Sequence, residues 1–401
     1  MILLLLSIFI VILFIVFIFI KVKYRFWTLQ PFYHKYNIVH AFGPKMRPIN
    51  NTVKTNRYVN IIDIKTKKVS DLDKTEREKI TNFIRNHIMQ SKIFKYFPTE
   101  NNIFSYLEFS NKVGYITIYH KPTFIMENSI IKNDYEYIAL VAVRPLCITI
   151  KKKPFSIDYL DFLSLHTDYK ESDTIYKLIQ THVYNTFTNN IKHNNSLLIK
   201  HFKKPFIIKS LTSFKLVCYD ISSIKFTKFL HPMYKIIELG TIHASLLNTF
   251  LQKQKSCYDC IIIPELSNIF ALVKSKNIML YGTIVNGELI SLYVYKNIVT
   301  CFVDNSITTE KEERPNAVLC IGALMDNKYK DILFTGFLFS LHLCLKYMNS
   351  RYLFIETLSN NVIINNKLSQ TSKKIFDKKG HYILYNYLSP YIKSSKCFIL
   401  C

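Results

Sequence analysis

The chain has 401 residues, a net charge of +25, 49% hydrophobic residues and only 8 glycines. That length allows one large domain or two ordinary ones, with ample apolar content for a buried core. The charge suits an acidic partner such as nucleic acid, anionic lipid or a phosphorylated cofactor, and it equally fits a lysine surface imposed by an Ile-, Lys-, Asn- and Tyr-rich composition. No compact basic run with interleaved aromatics marks a nucleic-acid footprint, since Lys151, Lys152 and Lys153 form only a short cluster; no nucleic acid is expected. The 9 cysteines are scattered, and Cys257 with Cys260 is the one CxxC pair. A zinc site needs a second ligand pair, so reduced thiols and no metal are expected.

Residues 1–20 are almost wholly apolar, with Ser7 the one polar side chain. At about 1.5 Å per residue the stretch matches a hydrocarbon core. No small-x-small cleavage site follows it, and Lys21, Lys23 and Arg25 mark the side expected to stay cytoplasmic. A single-pass anchor is expected, with the body facing the cytoplasm. Residues 29–75 read as loop-rich around Pro31, Pro44 and Pro48. Leu72, Ile80, Phe83, Ile84 and Ile88 fall at helical spacing within 71–92.

Strand-like runs follow at 113–120, 136–144 and 155–165, then a helix from about Asp173 to Asn189 and a strand at 215–219. Past residue 221 the layout partly recurs. A helix at 242–254 precedes strands near 269–273, 278–284, 289–294 and 298–303. A helix at 331–347 and strands at 352–358 and 381–387 complete it. The run 331–347 is bracketed by charge and carries His342, which reads as a buried helix rather than a second span. Helices, antiparallel meander, helix and further strand in each part give an α+β class with mixed sheets and an internal duplication, 21–220 and 221–401, without sequence repeat.

Three segments carry chemistry. The first is Tyr24-Arg25-Phe26-Trp27-Thr28-Leu29-Gln30-Pro31, whose aromatic faces and backbone groups suit adenine stacking and phosphate contact; Trp27 equally suits a membrane interface. The second runs from Ala139 through Pro145 to Ile150 and resumes as Asp158-Tyr-Leu-Asp161-Phe162-Leu163-Ser164-Leu165-His166. The third is Tyr382-Ile-Leu-Tyr385-Asn386-Tyr387-Leu-Ser-Pro390, followed by an apolar tail to Cys401. Such a tail suggests a terminus threaded inward rather than loose in solvent. It is not a CaaX box, because Cys397 stands fifth from the end.

In order and spacing these segments resemble the N-myristoyltransferases, the glycylpeptide N-tetradecanoyltransferase family. The resemblance covers about residues 24–401. It implies two pseudo-symmetric GNAT-like halves with mixed, mostly antiparallel sheets. The half 21–220 would bind acyl-CoA and 221–401 would bind most of the peptide. It implies direct attack by an N-terminal glycine amine on myristoyl-CoA, with no acyl-enzyme. The backbone amides of Phe162 and Leu163, on a bulged strand, would form an oxyanion hole, and the Cys401 carboxylate would be the general base. Contacts to the acyl-CoA would come from Tyr24, Arg25, Phe26, Trp27, Phe162, Leu163, Ser164, Leu165, Lys170, Thr174 and Ile175. Myristoyl-CoA would be a co-substrate and not a resident cofactor, Gly-initiated peptides the acceptors, and the protein a membrane-tethered monomer.

The chain departs from the family at two places. The family's basic pyrophosphate loop is here Thr167-Asp168-Tyr169-Lys170-Glu171-Ser172-Asp173, where only Lys170 is positive. Phosphate binding ordinarily uses Lys, Arg and helix N-terminal amides. The family's Thr-Ala-Gly turn is replaced around Leu197-Leu-Ile-Lys200, although Lys203-Lys204-Pro205-Phe206 keeps a Pro-Lys-Pro-like segment. The acidic loop leaves a second reading open, a catalytically silent membrane binding or scaffold protein. A third is a GNAT-type acyltransferase for a small acyl group or another amine.

Overall fold

The first helix, Ile2–Lys23, is longer than the apolar run alone and none of it is buried. By length and composition it can cross a membrane. The computed structural model describes residues 2–37, 46–52, 55–88, 94–127, 130–169, 173–188, 196–226, 230–298, 300–302, 316–348 and 350–401.

Among the described residues, fourteen strands join one mainly antiparallel sheet. From one edge the order is Cys397–Ile399, Cys260–Ile263, Ile130–Ile150, Lys153–Leu165, Leu197–His201, Lys374–Tyr385, Thr212–Asp220, Ser350–Glu356, Asn316–Met325, Glu288–Ile298, Ile278–Val285 and Lys235–Glu238. Ile64–Lys68 and Tyr115–Glu127 branch from Ile130–Ile150. The sheet is continuous across residue 220.

Each half contains the same four-part unit. In the first, Ile130–Ile150 turns through Lys151 and Lys152 into Lys153–Leu165. Both lysines have positive φ, 46° and 67°, as a two-residue turn that follows strand twist requires. A 3₁₀ turn at Thr167–Tyr169 and the helix Thr174–Thr188 lead to Leu197–His201, which runs parallel to Lys153–Leu165 from Asp158 to Leu160 only. In the second, Glu288–Ile298 pairs antiparallel with Asn316–Met325. A 3₁₀ turn, Asn327–Ile332, and the helix Leu333–Tyr347 lead to Ser350–Glu356, which runs parallel to Asn316–Met325 as far as Cys320. In each unit the register slips near the point where parallel pairing stops: at 140–142 in the first and at Val294–Tyr295 in the second. The two parallel strands then part and open the sheet.

Helices cover both faces. Ile80, Ile84, Ile103, Phe250 and Ile269 share one core with Ile116 and Leu292. On the opposite side Leu178 and Val183 pack against Val141 and Ile199, while Phe337, Leu341 and Ile364 pack against Val318 and Ile355. Burial of each such side chain contributes about 1.5–3 kcal/mol. Gly322 admits the last strand: a Cβ there would lie 2.5 Å from the Phe398 ring.

Several expectations change. Residues 269–273 are not a strand. Leu266–Lys274 is a helix burying Asn268, Ile269, Phe270 and Leu272, since a short apolar run fits either element and packing decides. The stretch 29–75 contains the strand Ile64–Lys68. The helix within 71–92 spans Lys74–His87, started by the Asp73 side chain accepting from the Glu76 amide at 2.7 Å. The helices Glu100–Leu107 and Asn361–Thr371 and the strands Cys260–Ile263 and Asn316–Met325 were not foreseen.

Candidate active site

The site lies where the first half's parallel strands part. Leu140 faces Ser164 and Ala142 faces Asp161, so Phe162 and Leu163 together oppose Val141. This is a β-bulge, with Phe162 at φ 50°. The Phe162 amide donates to its neighbour Asp161 Oδ1 at 3.0 Å. The other oxygen, Asp161 Oδ2, accepts from Arg144 Nε at 3.3 Å. Arg144 is 1% exposed. Its guanidinium lies 4.9 Å from the Tyr106 ring centre and 5.3 Å from that of Tyr159, and its Nη2 has no hydrogen-bond partner among the described residues.

The chain's tail reaches the same place. Cys397–Ile399 runs parallel to Cys260–Ile263, which borders residues 147–150. This buries Leu400 and Cys401. Cys401 lines a cavity with Arg144, Tyr106, Pro264, Ile321 and Leu400. Its Sγ lies 3.3 Å from Tyr382 Oη. Tyr382 Oη donates to Glu356 Oε2 at 3.1 Å, and Glu356 Oε1 accepts from Lys200 Nζ at 2.5 Å. Glu356 is 1% exposed. Two polar chains therefore end at the same cavity, one from Lys200 and Glu356 through Tyr382 to Cys401, the other from Arg144 through Asp161 to the Phe162 amide.

Burial disfavours charge at this centre, and the partners answer it. For Lys200, burial pulls the ammonium down, but Glu356 and the Cys401 position outweigh it and its pKa is raised. Lys296, 4.3 Å from the Tyr106 ring centre, is lowered by burial. Burial raises the Cys401 thiol and holds Tyr106, Tyr159 and Tyr382 protonated.

Nearby, burial pushes the Asp158 carboxyl up to about 7. The folded chain thus holds a proton that an unfolded Asp releases above about pH 4. That contribution to stability is full below about pH 4 and is lost as pH rises through 7. The thermal midpoint should fall between pH 5 and 8, and Asp158→Asn should flatten that fall; an unchanged slope in the variant would contradict this assignment.

The other sequence-derived residues are placed as follows. Arg25–Leu29 is a short helix. Phe26 is buried and stacks on Tyr176 at 4.1 Å, and Trp27 lies 5.8 Å from the His201 ring. This segment covers the start of Thr174–Thr188. Tyr24 meets Phe206 edge-on, and Arg25 is exposed. Ser164 is buried, its hydroxyl donating to Phe162 O at 3.0 Å, and Leu165 is in the core. Thr174 is buried and Ile175 packs beside it at the helix start. Lys170 lies outside the described residues. Asp168 is exposed, 3.7 Å from His166 Nδ1.

Sequence reasoning missed Arg144, Glu356 and Lys200. Their signal was a charge inside an apolar strand run, Val-Ala-Val-Arg144-Pro and Leu-Phe-Ile-Glu356-Thr, because charged residues are seldom buried unless paired.

Two halves, each a bulged antiparallel pair followed by a helix and a parting parallel strand, define an N-myristoyltransferase-like, GNAT-like fold. Among solved structures the chain is similar to Saccharomyces cerevisiae N-myristoyltransferase with bound myristoyl-CoA, at 12% identity over 92% of this chain and 94% of that one, TM-score 0.69. A second structure of that protein with myristoyl-CoA aligns at 11% identity over 93% and 90%, TM-score 0.68. A third, with myristoyl-CoA and inhibitors, aligns at 12% over 92% and 91%, TM-score 0.67. No protein-family model and no curated protein matches the chain.

Proposed function

We propose that the chain is a membrane-anchored acyl-CoA N-acyltransferase that moves a myristoyl-type group onto the N-terminal glycine amine of a protein. The observation that carries this reading is the buried Cys401, linked across one cavity by Arg144 and Asp161 to the amide of the Phe162 bulge. The likeness in fold to N-myristoyltransferase supports it.

In the proposed reaction the glycine amine attacks the thioester carbonyl. The carbonyl oxygen displaces Asp161 Oδ1 from the Phe162 amide and also receives the Leu163 amide, so developing negative charge meets fixed donors. Arg144 holds the displaced carboxylate. The Cys401 α-carboxylate takes one proton from the glycine ammonium before attack, and as the C–S bond breaks the second amine proton leaves with CoA as the thiol. Arg144 and Lys200 are paired with the carboxylates Asp161 and Glu356, and in this reading the two cations favour the ionised form of the α-carboxylate. The Cys401 thiol is a bystander.

In this reading residues 21–220 hold acyl-CoA and 221–401 most of the peptide groove. Residues 1–20 anchor a monomeric body on the cytoplasmic side, the side marked by Lys21, Lys23 and Arg25. Tyr24 to Trp27 and the start of the helix at Thr174 contact the CoA head.

The full chain in neutral detergent should acylate a Gly-initiated peptide from myristoyl-CoA and leave the same peptide untouched when its amine is acetylated. Failure to transfer any acyl length would reject the activity. A second reading, a silent acyl-CoA-binding protein, is favoured by the Phe162 amide being taken by Asp161 and by exposed Asp168 in the loop. Acyl-CoA that raises the thermal midpoint without being turned over would select it.

A further inference from the structure

Two turn-containing segments pair beside the foot of the apolar helix. In residues 33–37 and 207–209, the Lys35 amide donates to Ile207 O and the Lys209 amide to Tyr33 O, both at 2.8 Å, and His34 forms a bridge with Ile208. They are fastened to the foot of the helix twice. Tyr24 meets Phe206 with ring centres 5.3 Å apart, and His34 Nε2 lies 2.9 Å from Trp27 O.

This face presents aromatic and positive groups. Phe206 is 55% exposed and Tyr36 41%. Lys35, Lys204 and Lys379 gather there with His201 and His381, which face each other across neighbouring strands. Burial first, then Lys35 and Lys379, push the Lys204 ammonium down to about 8. Burial, then Lys204 and Lys379, push His381 down to about 4. The charges acting most strongly on both are positive, so the cluster is self-repelling as it stands. Lys21, Lys23 and Arg25 extend the same sign to the helix.

We propose that the exposed side chains of this face, Lys35, Tyr36, Lys203, Phe206 and Lys379 with the half-buried Lys204, dock on the headgroups of an anionic bilayer. The body is then held against the membrane by a surface as well as by the helix. Lysines lay their stems on the interface while their ammonium groups meet lipid phosphate and carboxylate, and tyrosine and phenylalanine settle at headgroup depth. The proposal rests on Ile2–Lys23 lying in a bilayer, which retention of the chain in lipid discs reports separately.

The test uses the full chain in nanodiscs of phosphatidylcholine alone and of phosphatidylcholine with phosphatidylserine. Amide exchange is read at 33–37 and 203–210, with Leu333–Tyr347 as the internal control. Each lysine near an anionic surface contributes roughly a fivefold factor, so three bias docking by about a hundredfold. Exchange at the two segments should slow in phosphatidylserine discs only. The effect should vanish at high salt and in a Lys35→Glu, Lys204→Glu, Lys379→Glu chain, and be reduced in the corresponding Gln chain. The control helix and the thermal midpoint in neutral discs show whether each variant is folded. Equal exchange in the two disc types overturns the proposal. So does slowing by free CoA in neutral discs without any response to phosphatidylserine, which would assign the cluster to the co-substrate's phosphates. A chain that does not stay in the discs fails the anchor reading instead.

Discussion

Extending the chain by one glutamate beyond Cys401 should lower acyl transfer by about a thousandfold, the scale of a lost general base, while acyl-CoA affinity changes little. Cys401 is buried against Tyr382 and Arg144. An added residue converts its α-carboxylate into an amide and moves the charge away. Single-turnover transfer to a Gly-initiated peptide measures the first effect, and acyl-CoA-dependent thermal shift measures the second. Cys401→Ser separates backbone from side chain: the thiol is raised by burial and has no step to perform, so this variant should keep transfer within a few-fold. Wild-type rates from the extended chain, with its thermal midpoint unchanged, would remove the carboxylate from the mechanism.

The second large effect is structural. Lys200→Met leaves Glu356 buried at 1% exposure without its cation. Breaking a buried pair on one side costs about 3–5 kcal/mol, whereas replacing both partners by neutral groups is often near neutral. The thermal midpoint of Lys200→Met should therefore drop sharply, and adding Glu356→Gln should recover most of the loss. Equal losses in the single and double variants would mean that packing rather than charge dominates there.

Much of the first half was legible because its strands are long. Within Ile130–Ile150 and Lys153–Leu165 the runs 136–144 and 155–165 are rich enough in apolar and β-branched residues to read as strands, and Asp161-Phe162-Leu163 supplied a recognisable order at the bulge. Burial of the tail was legible from its apolar end. Leu266–Lys274 was not, since nine residues that are buried at Asn268, Ile269, Phe270 and Leu272 carry no decisive period. Arg144 and Glu356 were passed over because each looks like an interruption in a strand until its partner is known, and Asp161 and Lys200 are far from obvious as those partners. The strand order was also beyond reach: pairing of Lys374–Tyr385 with both Leu197–His201 and Thr212–Asp220 is set by tertiary packing, and no local pattern announces it.

That insertion has a consequence for how the protein is made. Leu197–His201 and Thr212–Asp220 follow one another in the chain, yet the strand that joins them is translated roughly 150 residues later. At ribosomal speeds this leaves an interval of about 10–30 s in which two nascent strands have bare edges. Such edges invite pairing with other chains. A nascent chain already emerging beside a bilayer through its leading helix would spend that interval apart from its siblings, so early delivery to the membrane would act as a guard against aggregation as well as an address.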